Sequence, residues 1–562
     1  MAADPSDSAD SFCASRPASL VRLLWLLLFL ILYINLPAFL CMGLDPDVSQ
    51  WDLCARTVLQ GGVLYQDAVE NNLPGMLWLH VLIRSLLGWR PEVLRLIDLL
   101  VVFAVIWLLV RWLPSSAGRV QRLGLALVLL IFYLSTSEWV HCQRDIWMLL
   151  PALAALSLRR RQVQRLSQSD PGFREILGPA CAEGVVWAFA FWIKPFVAAP
   201  ALLCWLLSAG LIRQAKKVLL DGSGIIVGGL AAGGAGCVWL VASGAWPSFV
   251  EIVFDWNRQY IGYSLIGDGG CVSFSGLWQR LFPWIVIHVV ALPIAFVQIA
   301  DCILTRRASE GGKPSPSLAR RVSVQEAQPL LAGLYLGWLL QTLWLQHPFD
   351  YVHVPPLLLG LTLVASRLLA TKEQFIRVTG FAILYLCVLV HFLALCLYRL
   401  GVWSYCVREG STPQLRDHLM LTPKGLRWTE LEGVQIFLRD QGLKDGELSC
   451  THMDMVTLFT VLEVKPATRF HFLHSPIRVF KAQRQAIYGE LAVSRQRFVV
   501  CDALGYGIEP SALPAALFPA SHSAPAASYH WLDRIVFRSG RYVVFRLSGA
   551  ETATWLEATY KL

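Results

Sequence analysis

A chain of 562 residues that is 56% hydrophobic and only 15% charged, with a mean hydropathy of +0.52, is not a soluble globular protein, in which about 25% of residues are charged. The net charge of +9 does not point to nucleic acid, because Lys and Arg lie between apolar runs, as in polytopic membrane proteins. The 14 cysteines form no C-x-x-C pair and read mainly as small buried hydrophobes.

The first 19 residues are polar and read as a disordered N-terminus. The apolar run that follows is too long for a signal-peptide core and lacks a cleavage site, so it is expected to stay as an anchor. About eleven apolar runs have the length of membrane spans, roughly 20 residues or somewhat fewer. They lie near 20–42, 93–113, 123–138, 145–158, 180–193, 195–212, 218–243, 277–304, 329–346, 353–370 and 378–400. Alternate connections are rich in Lys and Arg, including Arg119, Arg159–Arg161, Lys216, Lys217, Arg306, Arg307 and Lys372. The positive-inside rule assigns these to the cytoplasm. The N-terminus is then inside, and residues 401–562 are outside, with the loops at 43–92, 139–145, 244–276 and 347–352.

The loop 43–92 opens on Leu44-Asp-Pro-Asp-Val-Ser-Gln-Trp-Asp52. Residues 47–60 have the apolar pattern of an amphipathic helix, ended by Gly61-Gly62. Residues 63–67 read as extended, and 71–75 as a turn. Residues 75–88 read as a second helix along the membrane surface. Asp47 suits a helix N-cap as well as it suits chemistry, since a carboxylate there accepts backbone N–H bonds. The apolar parts of 146–158 and 181–193 are only about 13 residues long, short of a bilayer. That shortness is expected to place Arg144, Asp145 and Lys194 at headgroup depth, and ionisable groups at such depth mark sites.

Several segments, in order, resemble the GT-C type glycosyltransferases, integral membrane enzymes that use polyprenyl-phosphate sugars and include the protein O-mannosyltransferases and aminoarabinose transferases. The matching stretches are Asp47-Val-Ser, Ala55-Arg-Thr-Val-Leu-Gln-Gly-Gly-Val-Leu-Tyr-Gln-Asp67 and Glu70-Asn-Asn-Leu-Pro-Gly75. They continue with Gln143-Arg144-Asp145, Ile193-Lys194-Pro195-Phe196, Asp255-Trp-Asn-Arg-Gln-Tyr260 and Gln346-His-Pro-Phe-Asp-Tyr-Val-His353. Leu73 stands where the family often has Pro, Ile146 replaces a His, and one residue is inserted between Tyr351 and His353.

The resemblance implies a mainly α fold, a bundle of about eleven transmembrane helices over 20–400, with a soluble extracytoplasmic α/β domain over 401–562. It implies attack of an acceptor hydroxyl or amine on the anomeric carbon of a lipid-linked sugar. Such a step needs a carboxylate to take the acceptor proton and fixed positive charge for the departing phosphate. Asp47 is the first candidate for the carboxylate and Asp145 the second, although Asp145 equally suits an ion pair with Arg144 or another neighbour. Lys194 and Arg144 are candidates for the phosphate, with Lys194 projecting outward from its hairpin. Arg258, Tyr351 and His353 follow as substrate contacts. Arg56 and Tyr65 belong to the same matching loop, and Arg56 on a surface helix equally suits a lipid headgroup. Asp67 and Glu70 are expected to hold the loop together. No tight ligand spacing indicates a metal. A divalent cation is possible in this family, but no cofactor is expected.

In the tail, residues 428–441 read as helix and 448–450 and 498–502 as strands. Helical stretches fall near 454–463 and 478–494, and 535–547 reads as a hairpin turning at Ser539-Gly540. Cys406, Cys450 and Cys501 could pair. Two other function classes fit an apolar chain of this kind. A transporter of lipid-linked sugars would show inverted repeats and charge near the midplane, whereas the charges read as crowding one end of the spans. A non-catalytic lipid-binding scaffold would fit the departures at Leu73 and Ile146. The expected location is a bacterial inner membrane with the tail in the periplasm, with an endoplasmic reticulum membrane, its lumen on the same side, as the alternative.

Overall fold

The computed structural model describes residues 6–168, 170–212, 214–260, 284–309, 328–346, 349–421, 425–503 and 534–560. These divide into two compact units, one of residues 1–41, 94–236 and 272–410, the other of 42–93, 237–271 and 411–562. The loop after the first apolar run therefore groups with the tail.

The first unit is helical. Helix α1 is Ser6–Cys41, so the polar N-terminal stretch continues the apolar helix from Ser6 onward instead of being disordered. Next come α2 (Pro46–Leu59) and α3 (Gly75–Leu87), both in the second unit, and then α4 (Pro91–Val110), α5 (Arg119–Leu134), α6 (Arg144–Gln168), α7 (Phe173–Ile193), α8 (Ala198–Ile212) and α9 (Ala215–Ala242). The helices Ile285–Ser309, Gln328–Leu340, Asp350–Ala370 and Gln374–Glu409 complete this unit. Every expected span thus coincides with a helix, apart from the part of 277–304 before residue 284, which lies outside the described residues.

Among the described residues, 7 helices are long and apolar enough to cross a membrane, and the chain is an integral membrane protein. Three of the other expected spans are helices that do not meet that measure. Helix α5 has 16 residues, Gln328–Leu340 has 13, and α6 carries its arginine cluster within the helix. Helix α6 runs 25 residues and α7 runs 21. Their apolar parts are short only because the helices continue through polar sequence, so shortness is not what buries the charges at their ends.

Burial separates centre from periphery. Helix Asp350–Ala370 is 83% buried over its apolar window, against 17% for α1 and α9. The first therefore forms the centre of the bundle, and the other two leave most of their apolar surface to lipid. Helices α7 and α9 approach closely through glycine. A Cβ at Gly228 would overlap the Cys181 carbonyl, and one at Gly184 the Ile225 carbonyl. Small residues permit such backbone contact in membranes.

The second unit is built on a four-stranded sheet, β1 (Leu448–Cys450), β2 (Phe498–Asp502), β3 (Ile535–Ser539) and β4 (Tyr542–Phe545), in the order β1-β2-β4-β3. Strands β1 and β2 are parallel, and β2–β4 and β4–β3 antiparallel. Side chains at alternate positions share a face. Leu448, Cys450, Phe498, Val500, Tyr542 and Val544 therefore form one core with Trp428, Leu431, Val434 and Leu438 from the helix Trp428–Asp440, whose apolar residues recur every three or four positions. Leu53 of α2 joins that core. Cys406, Cys450 and Cys501, which the sequence allowed to pair, are all free thiols. Cys450 lies opposite Val500, so Cys501 points to the other face of the sheet.

Candidate functional site

In the second unit, Asp45 caps α2, its carboxylate accepting the Asp47 N–H at 2.9 Å. Asp47 therefore lies in the first turn and is not the cap. It is half-buried. Asp52, one face round the helix, is buried between the His80 ring nitrogen at 2.8 Å and the Arg84 Nε at 2.8 Å, while Arg84 Nη2 makes a further bond to it. Burial by itself raises an acid, but hydrogen bonds and charge from His80 and Arg84 outweigh it and hold the Asp52 carboxyl below its ordinary value. This group ties α2 to α3.

The stretch 63–67 is a turn, not an extended run. Tyr65 takes φ +68°, and its hydroxyl donates to the Asn72 carbonyl at 2.7 Å. Its ring lies 5.4 Å from Phe249. The expected substrate contact is thus committed to packing. Asp67 accepts the Val63 N–H at 2.7 Å, and Glu70 accepts Gln50 Nε2 at 3.0 Å, so both hold the loop as expected. Arg56 donates to the Thr460 carbonyl at 3.3 Å and stacks 5.1 Å from Trp89. Arg258 is exposed. It follows a π-helical turn, Glu251–Trp256, a geometry often found at functional sites. Its neighbour Asn257 donates to the Asn71 carbonyl at 2.8 Å.

In the first unit, three of the matching segments meet. Lys194 is the C-cap of α7, and Pro195 starts a new turn behind it. Its ammonium does not project outward. It is 4% exposed and donates to both oxygens of Asp145, at 2.8 and 3.0 Å. The Tyr351 ring centre lies 5.8 Å from the same ammonium. Asp145 is thus an ion-pair partner of Lys194 rather than of its neighbour Arg144, which opens α6 half-buried. His353 is 1% exposed, and neither ring nitrogen has a partner among the described residues. Its ring centre is 5.8 Å from that of His288, whose Nδ1 lies 3.2 Å from the Tyr335 hydroxyl. His347 and Pro348, between Gln346 and Tyr351, lie outside the described residues.

Sequence reasoning passed over several polar residues inside the bundle. His288 sits in an apolar run, where a polar imidazole is costly. That cost was the available signal. Gln341 starts a second π-helical turn, Gln341–Leu345, and both its amide atoms are buried without partners among the described residues. Asp98 accepts the Tyr133 hydroxyl at 2.6 Å and the Trp147 indole at 2.8 Å, and Arg95 reaches His141 at 2.8 Å. Charges do not crowd one end of the spans. Midway along α7, Glu183 joins Arg159 and Asp221 in a buried triad, with Arg159 at 2.6 Å from each carboxylate. Among the described residues, no group of three or more His, Cys, Asp or Glu is placed to hold a metal ion.

No family model matches the sequence, and no curated protein matches it. The fold is similar to that of ArnT from Cupriavidus metallidurans bound to undecaprenyl phosphate, with a TM-score of 0.52 and 13% identity, covering 93% of this chain and 97% of that one. The apo state of the same protein aligns over 94% of this chain and 98% of its own, at 14% identity and a TM-score of 0.46. The chain has the GT-C fold.

Proposed function

We propose that this protein is a membrane glycosyltransferase that moves a sugar from a polyprenyl phosphate to an acceptor hydroxyl or amine at the outer membrane face. The observation that carries the reading is the meeting of three motif segments in one place. Lys194 pairs with Asp145 and lies against Tyr351, although the three come from distant parts of the chain. The likeness to a structure bound to undecaprenyl phosphate supports a polyprenyl phosphate as the donor's lipid. A bacterial inner membrane with the tail in the periplasm fits the charge pattern of the loops.

In the proposed step the acceptor O–H or N–H attacks the anomeric carbon. Its proton passes to the carboxylate of Asp47, the new C–O or C–N bond forms, and the bond to the phosphate oxygen breaks with inversion. The departing lipid phosphate gains negative charge, which Lys194 and Arg144 stabilise. Asp145 acts by holding the Lys194 ammonium in place. Tyr351 adds a hydroxyl donor, and His353 an unpartnered imidazole for the substrate side.

A transporter of lipid-linked sugars is the second reading, favoured by the Arg159–Glu183–Asp221 triad within the spans. Both are tested by reconstituting the full chain in vesicles with radiolabelled polyprenyl-phosphate sugars. Label released to acceptor or water by the wild type, and lost in Asp47→Asn, supports the transferase. Label carried intact across the bilayer supports the transporter. A wild type that does neither with any donor sinks both.

A further inference from the structure

We propose that His288, His353 and Gln341 bind the hydroxyl groups of the donor's sugar, and that this sugar is a neutral one. The inference rests on the reading above, a transferase of polyprenyl-phosphate sugars, and names the class of sugar. The three residues stand at one end of three helices that pack on one another, Ile285–Ser309, Gln328–Leu340 and Asp350–Ala370. His288 and His353 are each the fourth residue of their helix, one turn in from its start. Their ring centres are 5.8 Å apart. Gln341 directly follows the last residue of the helix between them in sequence. Its neighbour Thr342 donates to the carbonyl of Val352, the neighbour of His353, at 3.3 Å.

Polar atoms are left over at all three positions. Both nitrogens of His353, Nε2 of His288 and both amide atoms of Gln341 are buried without a partner among the described residues. Gln341 is 0% exposed and His353 1%. Only Nδ1 of His288 is engaged, 3.2 Å from the Tyr335 hydroxyl. Burying a polar atom unpaired costs free energy, and packing alone gives no reason to gather three such side chains at one end of three helices. A bound molecule that pairs with them does.

The kind of atom selects the ligand. An amide offers both N–H donors and a carbonyl acceptor, and a neutral imidazole one of each. A hydroxyl is likewise donor and acceptor, so it pairs with either. A phosphate or carboxylate only accepts, and an ammonium only donates, so each would leave half of these atoms unpaired. No carboxylate is paired with either imidazole among the described residues. Asp145, the acid of the neighbouring motif, is held by Lys194. The turn Gln341–Leu345 packs against Pro195–Val197, the turn behind Lys194. A sugar whose phosphate meets Lys194 therefore has neutral, hydroxyl-matching groups within the same unit.

The test uses the full chain in lipid nanodiscs, with polyprenyl phosphate alone and the same lipid carrying glucose, mannose or aminoarabinose as probes. Retention in native mass spectrometry ranks them. The wild type should hold the glucosyl or mannosyl lipid roughly tenfold more tightly than the bare or the aminoarabinosyl lipid. Gln341→Leu and His288→Phe should each remove most of that preference and leave binding of the bare lipid unchanged. Gln341→Leu breaks no side-chain hydrogen bond among the described residues, so its fold should hold. It carries the test if His288→Phe, which strands the Tyr335 hydroxyl, fails to fold. A wild type that binds the bare lipid but gains nothing from a neutral sugar, or that prefers the aminoarabinosyl lipid, overturns the proposal and spares the reading it rests on. So does an unchanged preference in both variants. A wild type that binds none of the probes sinks that reading and the proposal with it.

Discussion

Lys194 and Asp145 are 49 residues apart in sequence and hold each other through two hydrogen bonds, at 2.8 and 3.0 Å. Both are nearly excluded from solvent. A buried pair contributes little net stability compared with apolar residues of the same size, but removing one partner strands the other. Lys194→Met should therefore destabilise the protein by about 3–5 kcal/mol. Lys194→Met combined with Asp145→Leu should recover most of that while leaving activity absent. Thermal unfolding in lipid nanodiscs checks both. If the double variant is as unstable as the single one, the two residues are not energetically paired.

The triad of Arg159, Glu183 and Asp221 carries two carboxylates against one guanidinium. The Trp187 indole also donates to Glu183, at 3.1 Å. Arg159→Met removes the only cation of the three and should cost about 3–5 kcal/mol. Asp221→Asn should cost much less, because it leaves Arg159 with Glu183 as a one-to-one pair. Unfolding midpoints of the two variants rank them, and a reversed order would show that the excess negative charge is balanced elsewhere.

Local pattern made much of the tail legible. The strands Leu448–Cys450 and Phe498–Asp502 fall where short β-branched and apolar runs stand between turn residues, and the hairpin turns at Ser539-Gly540 as its composition dictates. Spans were legible as apolar runs for the same reason. Partners across the fold were not, since nothing local tells Asp145 that its counter-ion is Lys194 and not Arg144. Tyr65 at φ +68° was missed because only Asn, Asp and Gly advertise a left-handed turn. The short apolar parts of α6 and α7 misled because helix and apolar run were treated as one thing. The half-buried His288 and the buried Gln341 carried a signal in their residue type, which the resemblance did not use.

Gly228 tests the contact of α7 with α9. Its missing Cβ leaves room for the Cys181 backbone, and backbone cannot rotate away as a side chain does. Gly228→Leu should separate the helices and break the burial of Glu183 and Asp221, which those helices carry. Gly234→Leu, on the same helix with nothing near its own Cβ position, should be tolerated. Expression yield and melting temperature in detergent distinguish them. Equal behaviour of the two variants would mean that close approach at Gly228 is not required.

Asp454 gives a pH dependence with a definite sign. Burial, and then the neighbouring Asp502, push its carboxyl up to about 6. Arg541 pulls the other way, and Asp47 adds to the rise. Arg541 lies 3.3 Å from Asp454 and also bonds Asp502. A folded value above the ordinary 3.8 means that the native state binds the proton more tightly than the unfolded chain. The stability this group contributes is then fully present below the unfolded value and is lost as pH rises through about 6. With 27% of the side chain exposed, solvent screens part of the effect, so the slope is the useful readout. Asp454→Asn should flatten the fall in stability across that window, and Asp47→Asn should move its midpoint down. Unfolding of the full chain in nanodiscs at a series of pH values measures the slope. A variant that loses stability as steeply as the wild type would assign the titration to another group.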